Sequence, residues 1–599
     1  MLPNWKERLS SLVSEAVLQS FEIEDFKKNN ILPKEKIIAS ISRPRNSGNG
    51  DASSNIAFLL SKIFNSNPME ISSKILQFIE DSKVVTEKNL CKKIEIARPG
   101  FINFWFSDRT KFDVIREIFT NKEFGYNKKK CSGQKIIIEY VSANPTGPLH
   151  VGHARQAVLG DSIANILIAH GAEVFREFYY NDAGNQIDNL TNSVKARMNG
   201  ITPSDPLFPV DGYQGDYIKE IAKDFIKGKI SSIKKNKMDD EIKKFAVSYI
   251  RSEQKNDLAA LGVSFDGYCL ESSFYENGEI EKVIDKITKN KKTFEKDSAL
   301  WFKSSIYGDD KDRVMRKSDG AYTYFVPDLA YHFQKWNRGF KKAINIQGFD
   351  HHGTIKRVSS GLQALDEGIN KDFPKTILHK MVKVVKDHKE VKISKRSGSY
   401  VTLRDLICWA GNIENYNDYV NFPENPETNK KIRKGKDVVR FFLISKKAET
   451  EFTFDVDIAK KQNEENPVFY IQYAYARAYN LIKGSGSCNE DLLEFFYSLT
   501  SKDTDKIVSL LDSEKETRLF LRLAEFPTII DNAVTELSPH VITFYLMDLA
   551  GDFHSYYNET KINVENEIQK NSRLLLVLAF SIVLKRCLSL LGISAPKKM

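Results

Sequence analysis

Cysteine is scarce: six in 599 residues, at 91, 131, 269, 408, 488 and 587, no two closer than Cys91 and Cys131. A zinc cage or a disulfide framework needs thiols a few residues apart, so neither a structural zinc nor a disulfide-stapled fold is expected. Scattered thiols instead read as small core residues in a reducing compartment. Long apolar runs are also missing. The most apolar stretch, Leu574–Leu584, stops at Lys585-Arg586, short of the ~20 residues that span a bilayer. The start, Met1-Leu2-Pro3-Asn4-Trp5-Lys6, lacks the apolar core of a signal peptide, and no internal repeat is seen. Neither sign of charge dominates: 89 Lys+Arg against 79 Asp+Glu leave +10, a weak pull toward a polyanionic partner. With 41% hydrophobic and 28% charged residues, a disordered tail or fibrous repeat is excluded. The expectation is a soluble cytoplasmic protein with no membrane partner.

What is present fills about four domains at ~150 residues each. Residues 1–110 read as an α/β unit: Leu9, Leu12, Val13, Ala16 and Val17 have helical spacing, and Ile102, Phe104 and Phe106 alternate as in a strand. A Gly/Asn loop, Asn46–Asp51, lies between. The run Lys128-Lys129-Lys130 leads to a new grammar. Ile136-Ile137-Ile138 suits a buried parallel strand, Asn144–Pro148 a Pro/Gly loop, and His150–Ala169 a helix capped near Gly171. Val174–Tyr180 is the next strand, so a doubly wound, Rossmann-like parallel sheet begins here. This catalytic unit spans 131–410. A Lys-rich helical stretch, Lys227–Lys244, lies in an insertion at about 195–320, and sheet grammar returns at Ala343–Gln347. A connecting stem covers 411–462, and 463–599 reads as an all-α helical bundle.

Two motifs carry chemistry. His150-Val151-Gly152-His153 stands between a strand and a helix. A helix start offers unpaired N–H groups and partial positive charge to a phosphate, histidines can donate to its oxygens, and glycine admits close approach. Far downstream, Lys392-Ile393-Ser394-Lys395-Arg396-Ser397-Gly398 sets three cations in a small-residue loop. Read alone, the first could be a pair of capping or core histidines and the second a solvated basic turn.

Together they resemble the HIGH and KMSKS signatures of class I aminoacyl-tRNA synthetases. Surrounding residues resemble the bacterial-type arginyl-tRNA synthetases in particular: Glu139–His153, Tyr179–Gln186, Tyr324 with Asp328, Gly348–Gly353, and Asn466-Pro467-Val468 with Tyr470, Gln472-Tyr473-Ala474 and Ala476-Arg477. The resemblance covers essentially the whole chain. Ile393 stands where Met is usual, Pro327 where the family often has Arg, and Phe349 where a small residue is common.

The resemblance implies arginine–tRNA ligase activity through an arginyl-adenylate, with ATP entering as its Mg²⁺ complex. It implies His150, His153, Lys392 and Lys395 as catalytic residues. Pro148, Gly152, His153, Gly348, Asp350, His351, His352 and Ser394 are implied to bind ATP. Glu139, Ser142, Asn144, His150, Tyr324 and Asp328 would form the arginine site. Arginine suits such a site, because a guanidinium that never deprotonates cannot be buried without carboxylates in fork geometry. Which carboxylate meets which cation stays open; read without the family, Glu139 is a strand-end acid and Asp328 a helix cap. Lysine cannot supply the paired fork, and a site built for it rejects lysine by ~10⁴–10⁵ without editing.

The family also implies a tRNA(Arg) partner, an N-terminal contact with the tRNA elbow, and ATP–pyrophosphate exchange that requires bound tRNA. Tyr470, Tyr473 and Arg477 are the candidates for the anticodon, although tyrosines at this spacing equally suit a bundle core. A monomer is expected. The competing readings are another class I synthetase and a catalytically inactive tRNA-binding paralogue.

Overall fold

The computed structural model describes residues 5–21, 39–44, 46–81, 90–182, 184–229, 237–391, 400–414 and 425–599. At the N-terminus the helix Trp5–Ser20 buries Trp5, Leu9, Val13, Ala16 and Val17, the stripe its spacing predicts. It belongs to a unit with the strands β1 (Ile41–Ser42), β2 (Ala52–Ser54), β3 (Cys91–Ala97) and β4 (Phe101–Phe106), ordered β1-β2-β4-β3 and antiparallel throughout. Because β4 is interior, Asn103 is buried along with Ile102, Phe104 and Phe106.

The central sheet grows from β5 (Lys135–Glu139), β6 (Glu173–Tyr180), β7 (Gly267–Leu270), β11 (Lys342–Gly348) and β12 (Lys375–His379). Its order is β12-β11-β5-β6-β7, and every pair is parallel. Ile136, Ile137 and Ile138 are buried, as a strand covered on both faces requires. One strand of this sheet was not foreseen. β7 lies within the span read as an insertion, and its four residues form an edge too short to show a period. Between β7 and β11, β8 (Thr293–Lys296), β9 (Ala299–Phe302) and β10 (Arg313–Arg316) make a separate antiparallel sheet. After β12, β13 (Val382–Lys386) pairs with β14 (Lys389–Glu390) and, across the helices Leu403–Gly411 and Pro426–Ile444, with β15 (Phe452–Asp455).

The helix Val151–Ala169 joins β5 to β6 and is buried along most of its length. Gly160 lets it lie against the Tyr140 ring, since a Cβ there would come 2.2 Å from the ring. Two buried arginines fix it to distant segments. Arg155 donates to the carbonyls of Lys380, Lys447 and Thr450 at 2.7–3.1 Å. Asp161 pairs at 2.5 Å with Arg440, which also donates to Leu591 O at 2.7 Å.

From Pro467 onward the described chain is helical. The apolar run Leu574–Leu584 lies in the helix Glu567–Leu590 and is buried almost throughout, so its hydrophobicity serves the bundle core. Among the described residues no helix is long and apolar enough to cross a membrane.

Candidate active site

The sheet order reverses between β5 and β11, and an open parallel sheet binds its ligand beyond the carboxyl ends at such a point. Here two cavities adjoin, of about 340 and 680 Å³. They share Val141, Ser142, Asn144, Gln156 and His351.

The larger cavity is walled by Pro148, His150 and His153 at the start of the Val151–Ala169 helix. His150 is the N-cap: its Nδ1 accepts the Gly152 N–H at 3.1 Å. His153 Nδ1 accepts the His150 N–H at 3.3 Å, and the two rings stack with centroids 3.7 Å apart. Both Nδ1 atoms act as acceptors, so in the neutral rings the proton sits on Nε2, leaving each Nε2–H a donor. The histidines are therefore capping residues and potential phosphate donors at once. From the insertion, the Tyr217 hydroxyl donates to Thr146 O at 2.8 Å and so ties the insertion to the Pro/Gly loop.

Lys392, Ser394 and Lys395 lie outside the described residues. Where the chain re-enters at Tyr400, it runs against the His150 turn. Val151 N–H donates to Val401 O at 3.1 Å, Leu403 N–H donates to Leu149 O at 2.8 Å, and Tyr400 meets the His150 ring edge-on. The His150 turn thus shares one backbone junction with Val401–Leu403, in the described segment that follows the lysine-rich motif in sequence.

The smaller cavity is acid-lined by Glu139, Glu271 and Asp328. Directly after β5, Val141 (φ 71°) and Ser142 (φ 41°) adopt left-handed backbone, with Ser142 N–H donating to Tyr140 O at 3.0 Å. A β-branched residue at such φ is strained, and strain of this kind concentrates at functional sites. The turn aims Ser142 Oγ at Glu139 Oε1, 3.0 Å away. The other oxygen of Glu139 takes Lys335 Nζ at 2.7 Å, so both are engaged within the protein. Asp328 is different: burial, with Glu139 and Glu271 facing it, raises its carboxyl to about 7 against the opposing pull of Lys335. Burial, with Asp182 nearby, likewise holds Glu271 above the usual carboxylate range despite the 2.9 Å hydrogen bond from Tyr179 Oη.

Asp328 lies in the first turn of the helix Phe325–Asn337, whose N-cap is Tyr324, so it is not itself a cap. Pro327 fits that first turn because the N–H it lacks has no partner within the helix. Tyr324 rims the smaller cavity and is 80% exposed. Asn144 lines both cavities and donates to Gln186 Oε1 at 2.5 Å. Around the Gly348–His352 turn, His351 faces both cavities, whereas the Asp350 carboxylate points to solvent and Phe349 stacks on His352 at 5.3 Å. Sequence reasoning missed Glu271 and Lys335, which no motif marks. Glu271 follows an unforeseen strand, and Lys335 is one lysine among many.

On the bundle, Tyr470, Tyr473 and Arg477 form one cluster. The Arg477 guanidinium lies over Tyr473 at 4.4 Å and Tyr557 at 4.8 Å. His554 meets Arg477 Nη1 at 3.2 Å and the Tyr470 ring at 4.5 Å. Tyr475 by contrast is buried in the core.

Residues 5–106 match the arginyl tRNA synthetase N terminal domain, 114–454 the class I (R) tRNA synthetase catalytic domain, and 471–599 the DALR anticodon binding domain. The arginine–tRNA ligase of Paraburkholderia phymatum is 47% identical over 608 residues, covering 100% of both chains. That of Cupriavidus necator is 46% identical over 577 residues, covering 94% of this chain and 95% of the other. The Thermus thermophilus arginyl-tRNA synthetase structure shares the fold at a TM-score of 0.70, with 21% identity and coverage of 99% and 100%. The Plasmodium falciparum enzyme does so at 0.68, with 18% identity and 99% of each chain. With three family models in order and close relatives along the full length, this chain belongs to the arginyl-tRNA synthetases.

Proposed function

We propose that the chain ligates L-arginine to tRNA(Arg) at this cleft in two steps. The carboxylate of arginine attacks the α-phosphorus of ATP, which enters as its magnesium complex, and pyrophosphate leaves. The terminal ribose 2′-hydroxyl of the tRNA then attacks the arginyl-adenylate and releases AMP. One observation carries the reading: an acid-lined pocket opens directly into the cavity walled by His150 and His153, with five lining residues in common. An arginine whose guanidinium is held by Asp328 and Glu271 has its carboxyl end toward Ser142, Asn144 and the histidines.

Such chemistry asks a protein for positioning and charge stabilisation. The Nε2–H groups of His150 and His153 would meet charge developing at the α-phosphate, while Lys392 and Lys395 would neutralise the departing pyrophosphate. Pro148, Gly152, Ser394 and the Gly348–His352 turn would hold the nucleotide. The test is to incubate the pure protein with ATP, total tRNA and each labelled amino acid separately. Acid-precipitable label is expected with arginine alone; label with another amino acid overturns the reading.

Residues 1–110 would contact the tRNA elbow, and the 463–599 bundle would read unpaired anticodon bases at the Tyr470–Tyr473–Arg477 cluster. Stacking on one aromatic is worth roughly 1–3 kcal/mol per base. Tyr473→Ala is therefore expected to raise KM for tRNA about 5- to 150-fold while KM for arginine stays put, as read by steady-state aminoacylation.

A further inference from the structure

We propose that Lys335 is a positioning residue for the substrate cation: by engaging Glu139 within the protein, it leaves Asp328 and Glu271 to take the guanidinium. This rests on the arginine pocket proposed above. Lys335 lies seven residues after Asp328 on the same helix, so both face the same sheet end. Its residue is 0% exposed. The ammonium donates to Glu139 Oε2 at 2.7 Å and Asn345 Oδ1 at 3.1 Å, and stands 4.0 Å from the centroid of the Tyr331 ring. Ser142 Oγ fills the second oxygen of Glu139. A carboxylate so satisfied is a poor partner for a guanidinium, which needs two acceptors in a fork.

The groups facing Asp328 come from every wall. β5 supplies Glu139, β6 Tyr179, the turn after β7 Glu271, and the helix Ser272–Glu276 Tyr275. Its own helix supplies Lys335, Tyr331 and His332, the last held neutral by burial and by Lys335. In this set Lys335 is the sole side chain that carries positive charge near neutrality. Without it, Glu139 becomes a third anion open to the substrate, and arginine can settle one socket away from the position that aims its carboxylate at ATP. Its charge also sets where Asp328 ionises, since a neighbouring charge moves a carboxyl by one unit or more.

The experiment measures KM for arginine and for ATP against pH in aminoacylation. For the wild type, KM for arginine should fall as pH rises through about 7, where Asp328 ionises. Lys335→Met moves this limb up by about one unit, and Glu139→Gln moves it down. The double variant, which strands neither charge, returns it close to the wild-type position, and KM for ATP changes far less in all three. Limbs that fail to move in opposite directions overturn the proposal, because a lysine that only packs would not shift them. Should Lys335→Met not fold, a Glu139→Gln limb at the wild-type pH overturns it equally, and one displaced downward supports it. Asp328→Asn separates the two readings: if it leaves KM for arginine unchanged, the pocket assignment itself fails.

Discussion

Asp328→Asn lowers kcat/KM for arginine by about 10²–10³, the usual cost of removing one partner from a desolvated charge pair, while KM for ATP barely moves. The direction follows from the free protein. Desolvation in the pocket, with Glu139 and Glu271 facing it, raises the half-buried Asp328 carboxyl to about 7. Ionising it in the absence of substrate is thus unfavourable, and an incoming guanidinium relieves that cost. Asparagine keeps the shape, but it offers one acceptor oxygen and presents an amide N–H₂ to a cation that can only donate. The same residue makes an opposite prediction for stability. A carboxyl raised in the folded state lets that state hold a proton the unfolded chain has already lost. Stability without arginine therefore declines between the ordinary aspartate range and about pH 7. Asp328→Asn removes that decline, so thermal melts at pH 8 should show the variant more stable than the wild type when arginine is absent, with the gap closing when arginine is saturating. A variant less stable at pH 8 would place the strain elsewhere.

The fold was legible wherever one local signal sufficed. Ile136–Ile138 announced a buried strand, and the stretch from Asn144 to Gly171 announced loop, helix and cap; the structure has each within a residue or two. The placement of the motif histidines was legible because a Pro/Gly loop after a strand leads into a helix start, and the structure has His150 as that helix's N-cap. The electrostatics were not. Glu139 and Asp328 looked alike in sequence, yet one is neutralised by Lys335 and the other stands unneutralised, a difference made by a residue 196 positions from Glu139. Glu271 shows the same limit. It enters the pocket because β7 pairs with β6, and a pairing of four residues leaves no periodic trace. Pocket charge depends on contacts distant in sequence, and pattern reading sees only local ones.

His153→Ala lowers kcat for adenylate formation by roughly 10²–10³, the range for deleting one donor aimed at developing charge. Part of any loss must be structural, because His153 Nδ1 also accepts the His150 N–H and so helps to cap the helix. Loss of a cap costs about 0.5–2 kcal/mol of stability, which a melting curve reports directly. His153→Asn separates the two roles. Its amide oxygen can take the backbone N–H, while its NH₂ group lies closer to the backbone than the imidazole Nε2 and falls short of the phosphate. If the imidazole acts on charge at the α-phosphate, the asparagine variant melts like the wild type and still loses most of the 10²–10³ in kcat, with KM for arginine nearly unchanged. If capping were its whole contribution, asparagine would restore rate and melting together. The stacked geometry favours the first outcome: with the rings 3.7 Å apart and both Nδ1 atoms turned to the backbone, the protein has fixed the tautomer that makes each Nε2 a donor.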